Sequence, residues 1–190
     1  MYLITGAAGF IGFHLSLSLL KKGEKIIGID NINNYYDQKI KLDRLKILKK
    51  FSKFKFFKID LKNNVLIKKK LNKQKSKIKF IVHLAGQAGV RYSINNPSTY
   101  INNNIAAYIN LLEFFKGSTK LNLIIYASSS SIYGESGDKS SLSSAPQNKP
   151  ISVYSASKLS MELISNAYHS LYKINFIGIR FFSVYGPWGR

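Results

Sequence analysis

Six short apolar runs, each followed by a stretch with helical spacing, restrict this chain more than any other feature of it. The runs cover residues 2–5, 25–30, 54–60, 78–84, 121–127 and 175–180 and are rich in Ile, Val, Leu and Phe. Each is almost continuously apolar, the pattern of a strand covered on both faces. Between them, residues 11–22, 37–50, 63–73, 97–116 and 153–172 place apolar side chains at helical intervals. Strand and helix alternating in this way predict right-handed crossovers and a doubly wound parallel sheet, an α/β fold. Such a sheet takes ligands beyond the carboxyl ends of its strands. Residues 1–180 then form one domain, and the Ser-, Gly- and Pro-rich stretch 135–151 is its most loop-like segment. Residues 181–190, ending Tyr185-Gly186-Pro187-Trp188-Gly189-Arg190, are expected to begin a second region, largely absent from this chain, that would complete the binding of a substrate.

Composition removes several alternatives. There is no apolar run of the roughly 18 residues that a membrane helix needs, so no membrane insertion is expected. Glycines at 6, 9 and 12 interrupt the amino-terminal stretch where a secretion signal would need an unbroken apolar segment. The chain has no cysteine, which excludes disulfides and thiolate metal sites. His14, His83 and His169 lack metal-ligand spacing, and His83 reads as a hydrogen-bonded core residue. A cytoplasmic protein without a metal fits these features. The net charge of +20 invites a nucleic-acid reading, yet only four of the 29 basic residues are arginine (Arg44, Arg91, Arg180, Arg190). The crowded lysines between Lys68 and Lys79 have no interleaved aromatic residues to stack on bases. They read as solvated faces, with no specific nucleic-acid partner. Phe51, Phe54, Phe56 and Phe57 read as core.

The first chemical motif is Gly6-Ala7-Ala8-Gly9-Phe10-Ile11-Gly12, placed between the first strand and the first helix. Glycine at 6 permits a tight turn, at 9 the approach of a pyrophosphate, and at 12 the close packing of helix on strand. The helix N-terminus then offers free N–H groups to the anion. Asp30 closes the second strand, 18 residues after Gly12. A carboxylate there accepts the ribose hydroxyls of adenosine and repels a 2′-phosphate, which points to NAD rather than NADP. Asp60 ends the third strand in the same manner, as an adenine contact or as a turn cap.

The second motif is Tyr154-Ser155-Ala156-Ser157-Lys158. Tyr and Lys four apart share a helix face, and an ammonium beside a phenol is expected to lower the phenol's pKa and make a general base. Ser129, within Ser128-Ser129-Ser130-Ser131, lies 25 residues before Tyr154 and just after the fifth strand. Its hydroxyl can bond the oxygen from which Tyr154 takes a proton.

These motifs together resemble the extended short-chain dehydrogenase/reductase family of nucleotide-sugar enzymes, with its Rossmann-type sheet. Three stretches resemble its UDP-glucuronate 4-epimerase branch: 30–37 (Asp30 to Asp37), 83–93 (His83 to Ser93) and 180–190. Along the whole chain, the resemblance implies an NAD-dependent inversion at C4 of a UDP-sugar. Tyr154 would deprotonate the 4-hydroxyl as C4 gives hydride to the nicotinamide; the 4-keto sugar would turn over and take the hydride back. Ser129 would support the keto oxygen and Lys158 would also hold the nicotinamide ribose. Gly6, Ala8, Gly9, Phe10, Ile11, Gly12, Asp30, Asp60, Leu61, Leu84, Ala85, Gly86 and Asn104, with Tyr154 and Lys158, would contact NAD. Ser130, Ser131, Ser183 and Arg190 would face the sugar nucleotide, Arg190 through its carboxylate or diphosphate. Ser183 replaces a Thr common in that branch and keeps the hydroxyl. The family's dehydratases and decarboxylases carry acidic residues where this chain has Ser130 and Ser131. The resemblance also implies a homodimer through helices 97–116 and 153–172. UDP-glucose 4-epimerases are the nearest rival; an inactive NAD-binding unit and a lysine-rich nucleic-acid binder are the other readings.

Overall fold

The computed structural model describes residues 1–134 and 148–189. Six strands form one parallel sheet: β1 (Tyr2–Thr5), β2 (Ile26–Asp30), β3 (Phe54–Lys58), β4 (Phe80–His83), β5 (Leu123–Ser129) and β6 (Phe176–Phe181). Their order is β3-β2-β1-β4-β5-β6. The order reverses between β1 and β4, which both pair with their neighbours in parallel register, Thr5 lying opposite His83. This is the Rossmann-type, doubly wound arrangement that the alternating pattern predicts.

Successive strand residues point to opposite faces, and the two cores follow that rule. Leu3, Ile27, Ile29, Ile81 and Ile124 pack toward α3 (Asn64–Lys75), α6 (Ala107–Phe115) and α7 (Val153–Tyr172). Ile4, Ile26 and Val82 pack toward α1 (Phe10–Lys21) and α2 (Gln38–Leu48). β2 is buried at all five positions, as expected of a central parallel strand. β3 differs. Phe54, Phe56 and Phe57 in it, and Phe51 just before it, pack against the cores yet are only partly buried, because β3 is an edge strand with one neighbour.

The structure corrects the expected elements in three places. β3 stops at Lys58, so Asp60 lies in the following turn, where its Oδ1 accepts from Lys62 N at 2.9 Å. β5 runs on to Ser129, which brings the serine to the sheet rim as part of the strand. The single helix expected at 97–116 is preceded by an unforeseen short helix, α4 (Val90–Asn95), and is itself divided. α5 (Pro97–Tyr100) leads through a wider π-helical turn, Ile101–Ala106, into α6. α7 matches expectation over Val153–Tyr172 and starts with a reciprocal cap: Ser152 Oγ accepts from Ser155 N, and Ser155 Oγ accepts from Ser152 N. The loop-like stretch expected at 135–151 lies largely outside the described residues.

Candidate active site

The turn after β1 meets the helix N-terminus of α1 beyond the sheet's carboxyl rim. Gly6 has φ 71°, a conformation costly for any side chain, as the tight turn requires. A Cβ at Gly12 would lie 2.1 Å from the Gly6 carbonyl oxygen, so helix and turn pack with no room for a methyl. No side chain caps α1, and its first N–H groups remain available to an anion.

A cavity of about 760 Å³ opens here. Gly6, Gly9, Phe10, Ile11 and Gly12 form one wall, and Asp30, Asp60 and Leu61 lie toward one end. Leu84, Ala85 and Gly86 line it beyond the end of β4, and Ala127 lines it from within β5. Of the residues expected to touch a dinucleotide, Ala8, Asn104, Tyr154 and Lys158 lie outside this lining. Ala8 is fully buried between two charges: its N–H donates to Asp30 Oδ2 at 3.1 Å and its carbonyl accepts from Arg44 Nη1 at 2.8 Å. Asn104 is buried in the π-helical turn; its Oδ1 accepts from Gln87 N at 2.7 Å and its Nδ2 donates to Ser157 Oγ at 2.9 Å. It joins the loop after β4 to the residue beside Lys158.

The Asp30 carboxylate is buried, each oxygen accepting one backbone amide: Ala8 N on Oδ2 and Ile32 N on Oδ1 at 2.8 Å. A carboxylate oxygen has a second lone pair to offer, so turn formation and ribose binding are compatible in this residue. Asp60 divides itself in the same way between its own turn, Asn31 and the cavity.

At the β5 end, Ser129, Tyr154 and Lys158 come together. Ser129 Oγ accepts from Ser131 N at 3.2 Å and from Ser131 Oγ at 2.9 Å. Ser130 opens the short 3₁₀ turn that follows, Ser130–Tyr133. Lys158, 6% exposed, donates from Nζ to the Ala127 carbonyl at 2.8 Å, which anchors α7 on the cavity wall. Tyr154 packs edge-on against Tyr100, ring centres 5.9 Å apart.

The electrostatics correct one expectation. Burial raises the Tyr154 phenol above its ordinary value, and the Ser129 hydroxyl's hydrogen bond opposes that rise. Lys158, whose ammonium rests on a carbonyl oxygen, is itself pulled by burial from 10.5 to about 8. Desolvation of both groups outweighs the acidifying effect expected from their spacing. His83 sits behind the site as a core residue: Nδ1 is hydrogen-bonded to Thr5 Oγ1 at 2.8 Å and the ring stacks on Tyr108 at 4.9 Å.

Ser183 is exposed on the segment leaving β6, next to Val184, which does line the cavity. Arg190 lies outside the described residues. Arg44 had no expected role, yet it is fully buried and lines the cavity. The sole hint in the sequence was that it is one of four arginines among many lysines.

Three comparisons bear on this geometry. The family described as "NAD dependent epimerase/dehydratase family" matches residues 2–190. Protein CapI of Staphylococcus aureus is 47% identical over 99% of the chain and 55% of its own length. UDP-glucuronate 4-epimerase 6 of Arabidopsis thaliana is 43% identical over 99% of the chain and 40% of its own length. A UDP-glucuronic acid 4-epimerase from Bacillus cereus, solved in complex with UDP-glucuronic acid and NAD, superposes with a TM-score of 0.86. It is 36% identical, over 100% of this chain and 58% of that one. The chain spans about half the length of the curated relatives it matches.

Proposed function

The chain belongs to the NAD dependent epimerase/dehydratase family, and from that premise we propose that the whole protein inverts C4 of UDP-glucuronate to give UDP-galacturonate, using bound NAD. One observation carries the reading. A single cavity runs from Asp30 and Asp60, past the glycine turn, to Ala127, whose carbonyl holds the lysine one turn from Tyr154. The residues present fit the dinucleotide: an uncapped helix start for its diphosphate, a buried carboxylate with lone pairs for ribose, and a glycine turn no side chain obstructs.

When bound, NAD supplies the acceptor, and later the donor, of the hydride at C4. The chain's own residues handle the proton. Tyr154 Oη takes it from the 4-hydroxyl and returns it to the same oxygen once hydride has come back to the other face of C4. Ser129 steadies the oxygen through the exchange and its hydrogen bond favours the phenol's anion, while Lys158 holds the nicotinamide ribose. Ser130 and Ser131 contribute hydroxyls, whereas an elimination needs a carboxyl acid at that position. Residues 1–180 form the cofactor-binding domain, and 181–190 begin the substrate-binding part, with Ser183 and Arg190 toward the sugar nucleotide. The reading includes a cytoplasmic homodimer joined through residues 97–116 and α7; among the described residues no helix is long and apolar enough to cross a membrane.

Tyr154→Phe in the full-length protein tests the proposal. Conversion of UDP-glucuronate, followed by chromatography of the two uronates, is expected to fall about 10³-fold, within the range for loss of a general acid–base group, while NAD stays bound. Full-length wild type that leaves UDP-glucuronate untouched would remove the substrate assignment. Turnover of UDP-glucose instead would support the second reading, which the fit of a Thermus thermophilus UDP-glucose 4-epimerase keeps open (TM-score 0.84, 26% identity).

A further inference from the structure

The three stretches 30–37, 83–93 and 180–190 are far apart in sequence, and the structure ties them at one place. Tyr35 meets Tyr92 edge-on at 5.1 Å. Its neighbour Tyr36 accepts a hydrogen bond at 2.9 Å from Arg44 Nη1, which also donates to the Ala8 carbonyl of the glycine turn. Arg44 Nη2 donates to the carbonyl of Trp188. One guanidinium thus reaches the glycine turn, the loop after β2 and the segment that follows β6. Its Nε is buried with no hydrogen-bond partner among the described residues, so the position is held for the fork of the two terminal nitrogens.

The segment so tied is a wall of the cavity. Val184, Tyr185, Gly186 and Gly189 line it. A second tie comes from α1, where His14 Nε2 is hydrogen-bonded to the Pro187 carbonyl at 2.7 Å. The Trp188 ring rests against Phe13, centres 5.7 Å apart. These contacts hold residues 184–189 against the start of α1, beside the glycine turn that would receive a diphosphate.

We propose that Arg44 is a positioning residue that, with His14, fastens the 184–189 segment as a wall of the dinucleotide cavity beside the glycine turn, so that release of the cofactor requires this fastening to open. The inference rests on the proposed cofactor reading. A guanidinium can serve three diverging acceptors, whereas a lysine ammonium in its place is a compact point donor on a flexible stem. A charged donor's bond to a carbonyl is strong enough to govern an exit rate.

The test uses full-length protein loaded with etheno-NAD, displaced by excess NAD, in wild type, Arg44→Lys and His14→Ala. Trp188 is the only tryptophan of the chain, so quenching of that residue by acrylamide can be followed in the NAD-free 190-residue chain. Both variants are expected to release the nucleotide about tenfold faster or more, a factor equivalent to about 1.4 kcal/mol, and to expose Trp188 to quencher. Because His14 is a partly exposed residue on the surface of α1, its variant should keep the NAD-free melting temperature of wild type, and so separates fastening from folding. Release at the wild-type rate in both variants would overturn the proposal and leave the cofactor reading intact. Wild type that takes up no NAD would overturn both.

Discussion

At the scale of single residues, His83 shows how burial sets chemistry. Full burial, with Lys158 adding repulsion, lowers its pKa from 6.5 to about 3. Between those values the unfolded chain binds a proton that the folded chain refuses, so stability is complete above pH 6.5 and is lost as pH falls toward 3. The slope approaches 1.4 kcal/mol per pH unit. Urea denaturation of wild type and His83→Phe across that range should show the acid slope in the first and a shallower one in the second. Equal slopes would refute the assignment. The same scale shows what could be read in advance. Gly6, Gly12, Asp30, Ser129, Tyr154 and Lys158 were legible because each motif is contiguous or sits at a strand end. Arg44 was not, since its partners Ala8 and Trp188 lie 36 and 144 residues away. The raised phenol of Tyr154 was also hidden, because desolvation depends on neighbours that spacing does not specify.

Among the elements, α7 has the most to position. Tyr154, Lys158 and Glu162 recur at four-residue intervals and face the sheet, each anchored differently. Burial alone would raise the Glu162 carboxyl, but bonds from Arg180 and Ser128 hold it below the usual range. Arg180 reaches it through Nε at 2.9 Å and Nη2 at 2.6 Å, and Ser128 through Oγ at 2.5 Å. This fork ties the helix to β5 and β6 beside Ser129. A double-mutant cycle with Glu162→Gln and Arg180→Met should give a coupling energy of about 1.5–3 kcal/mol in urea denaturation, the range for charge-assisted bonds; a coupling near zero would mean the pair does not fix the helix. The pattern of elements was legible nearly to the residue for α7, whose cap is written as Ser152 and Ser155. The division of the helix at 97–116 was not. Its wide turn accommodates Asn104, whose partners Gln87 and Ser157 come from other elements, and only tertiary contact selects that winding.

For the whole molecule, the proposed homodimer can be tested on the faces α7 and the π-helical turn leave outward. Leu163 is 61% exposed and Ile101 48% exposed. Sedimentation of the full-length protein should give twice the chain mass, and Leu163→Glu should shift it toward one chain; wild type at one chain mass would remove the dimer. The architecture itself was legible because helices cover both faces, which makes the central strands almost uniformly apolar. The edges blurred. β3 carries Lys55 and Lys58 outward, and β6 leaves Ile177 50% exposed. The all-parallel order has one more consequence. Every strand starts on the rim away from the cavity, and Met1 emerges there too, about 15–20 Å of strand from the site. A molecule tethered through Met1 to a solid support would therefore present its mouth to the solution.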